Sequence, residues 1–277
     1  MNVESVLKQP IPDLSGARKT KLSFRKYPLK KDGDHNDEPL IDIALYGIAG
    51  QSYYSRPNGA TKTPIPEVPP VVYLRQSIVE KLADINYALQ QSSEASKIFG
   101  GQVELYVNEG YRSPKLQKIL YEDIFPTLIA KQQPHFTHEE IFARRDQLVA
   151  RPPRDDSPSP HATGAAVDIR LRYLQPNLGF VLNSDILLAP KQADTAETTQ
   201  PDYYEHHKRL TTQEKKIRDN RRAFYWIMRG ALIDDDSGFA VNSSEWWHWS
   251  YGDQMWAQFT SAPEAFFAVA TNVPESS

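Results

Sequence analysis

The chain has no cysteine. Disulfides and thiolate metal sites are therefore excluded, and any zinc ion must be held by histidine and carboxylate. It has no marked excess of either charge: 32 basic residues stand against 35 acidic ones, a formal net charge of −3. Electrostatics thus gives no reason to expect nucleic acid or a membrane surface as partner. No apolar run approaches a membrane span, and the first ten residues hold no signal-peptide core, so a cytoplasmic protein is expected. Gly-rich nucleotide signatures, internal repeats and low-complexity tracts are absent as well.

What is present is ordinary globular composition. The chain has 277 residues, 40% apolar and 24% charged, enough to build a core without staples. Residues 1–39 read as a polar, loosely ordered lead-in, 40–265 as one catalytic domain, and 266–277 as a tail that frays. Residues 40–46 read as a strand. Residues 47–70, rich in Gly, Pro, Ser and Tyr, read as a long loop of the kind that lines a pocket.

Periodicity places the main elements. Leu74, Ile78, Leu82, Ile85 and Leu89 recur at helical spacing over 73–91. Val103, Leu105 and Val107 alternate with polar residues in a half-buried strand. Ser113-Pro114 opens a helix that Pro126 bends or ends. Thr137/Glu140 and Thr211/Glu214 are capping boxes for helices over 138–149 and 212–232. The proline-rich stretch 151–160 delivers extended chain into His161. Val167, Ile169 and Leu171 then form a strand, with Asp168 facing away from them. Residues 176–210 read only as loops. Short strands over 239–241 and 247–251 flank Glu245.

Three stretches carry the chemistry: Gly110-Tyr111-Arg112, Ser159 to Asp168, and Glu245-Trp246-Trp247-His248. They supply two imidazoles, two carboxylates and a guanidinium, an inventory that suits metal-assisted hydrolysis. Such an enzyme needs three N/O ligands, a carboxylate that moves a proton, and a donor for the developing oxyanion. Each stretch also has an ordinary reading: a loop histidine and strand aspartate in plain hydrogen bonds, a histidine packed among tryptophans, and an Arg112–Glu109 salt bridge. The separation of Glu245 and His248 puts them on opposite faces of a regular strand, so the segment must curl for both to serve one site. The pair His206-His207 reads as solvated.

The series Ser159-x-His161-x-x-Gly164-x-Ala166-x-Asp168, followed by Glu245-x-x-His248, resembles the signature of the M15 zinc peptidases. These comprise D,D-carboxypeptidases and D-alanyl-D-alanine dipeptidases. Glu-Trp-Trp-His, and Glu-Gly-Tyr-Arg after a strand, are more similar to the dipeptidase (VanX-type) branch. The resemblance implies a single α+β domain, a small, mainly antiparallel sheet flanked by helices. It implies one Zn²⁺ held by His161, Asp168 and His248, Glu245 as general base and acid, Arg112 at the oxyanion, and Ser159 close to substrate. The substrate it implies is the small dipeptide D-Ala-D-Ala. In that branch an aspartate after the second ligand holds the substrate ammonium; Asp194 is expected here, with Asp185 and Asp202 as rivals. A D,D-carboxypeptidase or peptidoglycan endopeptidase, and a non-catalytic zinc-binding module, are the alternatives.

Overall fold

The computed structural model describes residues 2–30, 35–58, 63–66, 68–152, 159–174, 186–190, 197–233 and 238–274. The described part of the lead-in carries regular structure. It forms two short helices, α1 (Val3–Leu7) and α2 (Ser15–Lys19), and buries Leu7, Ile11 and Phe24. β1 (Leu40–Asp42) is shorter than the strand expected, because Asp42 caps a 3₁₀ turn over Ile43–Tyr46 by accepting from the Ala44 N–H. β2 (Ala49–Gly50) follows, and β3 (Tyr73–Arg75) pairs antiparallel with β1. Leu74 therefore belongs to a strand, and α3 (Gln76–Gln91) starts after it. The rest of the predicted stripe, Ile78, Leu82, Ile85 and Leu89, is buried.

α4 (Ser93–Phe99) and β4 (Val103–Glu109) come next. α5 (Pro114–Ile119) is capped by the Ser113 hydroxyl as predicted. Pro126 does not end this helical run. A π turn over Leu120–Ile124 precedes α6 (Phe125–Gln132). Proline lacks an N–H and its ring crowds the carbonyl one turn back; the wider turn relieves that crowding. α7 (His138–Leu148), β5 (Ala166–Tyr173) and α8 (Thr212–Met228) follow, and both helices open with the predicted capping boxes. β6 (Ala240–Asn242), β7 (Glu245–Ser250) and α9 (Gln254–Thr260) complete the chain.

The main sheet has the order β2-β4-β5-β7-β6, antiparallel except for the β2–β4 pair, as expected of a mainly antiparallel α+β fold. Alternation gives it two faces. Val103, Leu105 and Val107 of β4, Val167, Ile169 and Leu171 of β5, and Trp249 of β7 share one core with α3, α4 and α8. β4 is not half-buried as its pattern suggested, since Glu104 and Tyr106 on the second face are covered too. That second face carries Asp168. The tail is held as far as Ala270, whose N–H donates to the Ala162 carbonyl at 2.9 Å, while Phe267 is fully buried. Among the described residues no helix is long and apolar enough to cross a membrane.

Candidate active site

β-Sheet register builds the site's first row. Glu109, Asp168 and His248 are successive cross-strand partners on β4, β5 and β7. Partners across a ladder project to the same face, so three chemically active side chains line up where β4 carries a register shift. His161 enters from a 3₁₀ turn, Pro160–Thr163, just before β5. Gly164 closes that turn at φ +70°, a left-handed conformation that glycine adopts without strain.

Two backbone devices aim His161. Its Nδ1–H donates to the Gly110 carbonyl at 2.8 Å, which turns Nε2 toward Asp168. Its own carbonyl accepts from the Arg112 N–H at 3.1 Å. Gly110 is required here: a Cβ would stand 2.5 Å from the Tyr73 carbonyl oxygen. Arg75, fully buried, holds the same turn by donating from Nε to the Thr163 carbonyl at 2.6 Å.

The ligand atoms converge. His248 Nδ1 lies 3.0 Å from Asp168 Oδ1, and His161 Nε2 lies 3.5 Å from the same oxygen. Metal-ligand bonds of zinc length at tetrahedral angles put neighbouring ligand atoms about 3.4 Å apart. One atom from each residue falls within 4.8 Å of the others, and the set is two imidazoles and one carboxylate. These residues therefore fit a divalent metal. Burial opposes ionisation of Asp168, but the charges and hydrogen bonds of His161 and His248 outweigh it and hold the carboxyl far below the usual range. Burial likewise disfavours a charged His248, yet the Asp168 hydrogen bond and charge raise its pKa.

The remaining predicted residues surround this row. Glu245 begins β7, and its Oε2 accepts from Asn242 Nδ2 at 2.7 Å. The predicted curl exists: Val241 pairs with Trp249, but the next residue, Asn242, pairs with Glu245. Several residues of β7 thus bulge against one step of β6, which frees Glu245 and His248 from strict alternation. Ser159 is buried, and its Oγ has no hydrogen-bond partner among the described residues. Arg112 is also buried. It donates from Nε and Nη2 to Glu109 and from Nη1 to Gln117 Oε1 at 2.7 Å. The Glu109 partnership is the ordinary one weighed from sequence, although it is internal rather than superficial. Burial works against the guanidinium's charge, and Glu109 more than restores it, raising the pKa.

The ammonium anchor is only partly placed. Asp194 and Asp185 lie outside the described residues. Asp202 is fully buried and already occupied. It takes both terminal nitrogens of Arg18, the Leu14 N–H and His206 Nε2. His206 is thus partnered rather than simply solvated, while His207 Nδ1–H donates to the Tyr203 carbonyl. Sequence reasoning missed the Gly110 carbonyl, Asn242 and Arg75. Gly110 had a signal, since it sits inside a motif already singled out; the other two gain their roles only through the fold.

No protein-family model matches the chain. Over 230 residues it is 26% identical to a D-alanyl-D-alanine dipeptidase of Synechocystis sp., an alignment covering 79% of this chain and 84% of that protein. The chain is therefore similar, through most of its length, to a protein named as a dipeptidase.

Proposed function

We propose that the chain is a zinc-dependent D-alanyl-D-alanine dipeptidase of the M15 type, hydrolysing D-Ala-D-Ala to two D-Ala. The observation that carries this reading is the convergence of His161 Nε2, Asp168 Oδ1 and His248 Nδ1 at ligand spacing, with Glu245 on the strand that carries His248. Similarity to a named dipeptidase supports the substrate class. A divalent ion held by these three residues supplies a Lewis acid and a water acidic enough to react near neutral pH.

The chain's own residues do the rest. Glu245 takes a proton from the attacking water and passes it to the leaving amine. Asn242 orients it through Oε2. Arg112 meets the developing oxyanion; among the described residues Glu109 and Gln117 use three of its N–H groups, which leaves one on each terminal nitrogen. Glu109 also keeps the guanidinium rigid and charged. Ser159 Oγ contacts the substrate, and Asp194 holds its ammonium.

One observation favours a second reading, a D,D-carboxypeptidase acting on longer peptides. Asp202, a rival for the ammonium anchor, is closed by Arg18. A peptide without a free ammonium needs no such carboxylate. The test of the catalytic assignment is Glu245→Gln. Turnover of D-Ala-D-Ala falls about 10²–10⁴-fold while zinc stoichiometry and fold stay intact; unchanged turnover removes Glu245 from the mechanism.

A further inference from the structure

Among the described residues, His248 and Asp253 each keep one buried polar atom without a hydrogen-bond partner. His248 presents Nδ1 to Asp168, so its other ring nitrogen points elsewhere. That Nε2 is buried and has no hydrogen-bond partner among the described residues. Binding a metal through Nδ1 requires the ring's remaining proton to sit on Nε2, where it needs an acceptor. The ring cannot satisfy it with Asp168, which lies on the other side.

Ser250 lies two residues along β7, on the face that His248 shares. It is fully buried, and its hydroxyl lies 4.0 Å from Met255 Sδ in the first turn of α9. The start of α9, which Asp253 caps, therefore packs on the same flank of β7. Asp253 is 1% exposed, with Oδ1 accepting from the Trp256 N–H at 2.8 Å. Its second oxygen, Oδ2, is buried and has no hydrogen-bond partner among the described residues. The charge of Asp253 reaches His248, and that of His248 reaches Asp253. An orphaned donor position and an orphaned acceptor thus stand on one side of the strand.

We propose that Asp253 Oδ2 accepts the Nε2–H of His248, directly or through one buried water, and so acts as a positioning residue for the metal centre. The inference rests on the metal-centre reading above. It gives Asp253 two duties on two oxygens: Oδ1 starts α9, and Oδ2 fixes the tautomer and ring orientation of a ligand. A carboxylate serves both, whereas a residue kept only for capping needs one oxygen.

The duties separate by substitution. Asp253→Ser retains a good helix cap and loses the second oxygen. Asp253→Asn keeps one oxygen for the cap and offers an amide N–H₂ to Nε2–H, donor against donor. Zinc dissociation constants of the full chain are measured by chelator competition, with circular dichroism to check the fold. Both variants are expected to fold and to bind zinc about 10- to 100-fold more weakly than wild type. The visible spectrum of the cobalt-loaded protein is expected to change in both, which loss of a cap alone does not produce. If Asp253→Ser fails to fold, Asp253→Asn decides. Zinc affinity equal to wild type in a folded variant overturns the proposal alone. Failure of wild type to bind zinc overturns the metal-centre reading, and this inference with it.

Discussion

Asp168 and His248 face each other across β5 and β7 as ladder partners, with Oδ1 and Nδ1 3.0 Å apart. They are far apart in sequence, and only strand pairing brings them together. A metal at this point joins two strands that the backbone already holds in register. The geometry of these candidate ligands is thus set by the backbone, which would reduce the ordering that metal binding must impose. Asp168→Ala is therefore expected to abolish stoichiometric zinc binding while leaving far-UV circular dichroism unchanged. Elemental analysis of the purified variant checks this; full zinc occupancy would place the metal elsewhere.

The pH dependence of metal binding follows from the same pair. In the metal-free protein His248's folded pKa is raised, with ring burial opposing the shift and Asp168 overriding it. Stability from this pairing is fully present below the ordinary histidine pKa and is lost as pH rises through the raised one. Metal binding runs the other way, because Nδ1 must shed its proton. Zinc affinity is expected to climb with pH through that window, measured by chelator competition from about pH 5.5 to 8.5. A flat profile would contradict the assignment of His248 as a ligand.

Gly110→Ala should damage site and fold together. The added Cβ meets the Tyr73 carbonyl at 2.5 Å, and that carbonyl accepts from the Tyr111 N–H. Overpacking of this kind costs about 1–3 kcal/mol. Displacement of the Gly110 carbonyl also releases His161 Nδ1. Urea unfolding and zinc titration of the same variant should both shift; a shift in stability alone would show that the carbonyl is dispensable to His161.

Arg75 is a structural clamp built on backbone carbonyls. Its guanidinium donates to the carbonyls of Thr163, His35, Asn36, Glu38 and Ala268, tying the lead-in and the tail to the His161 turn. It also stacks on Phe267, 4.7 Å from the ring centroid. Burial lowers its pKa to about 10. Arg75→Met leaves the buried Thr163 carbonyl unpaired at about 1–3 kcal/mol and frees the part-buried carbonyls beside it, so a loss of at least this size is expected in urea unfolding. Arg75→Lys should rescue little, because a compact ammonium cannot reproduce the planar fork.

Legibility followed chain distance. Helices set by a local stripe or a capping box, such as α3, α7 and α8, could be read directly, with ends off by a few residues. The ligand residues could be listed because they sit in dense motifs. Their convergence could not, since it depends on the pairing of β5 with β7 and on the bulge opposite Asn242. The lead-in's contacts were hidden for a related reason. Its polar composition conceals Arg18, which reaches Asp202 and the Ser243 carbonyl from the far end of the chain. Of the two readings of Pro126, an end to the helix does not hold, because a π turn can absorb a proline that a regular helix cannot.

The central claim is that this metal-ready site cleaves a free D,D-dipeptide. Zinc-loaded protein is incubated with D-Ala-D-Ala and, separately, with an N-acylated D-Ala-D-Ala peptide, and free D-Ala is measured. The account predicts release from the free dipeptide and none from the blocked one. Release from the blocked peptide would contradict the dipeptidase assignment in favour of a carboxypeptidase, and release from neither, with zinc bound, would contradict the proposed substrate.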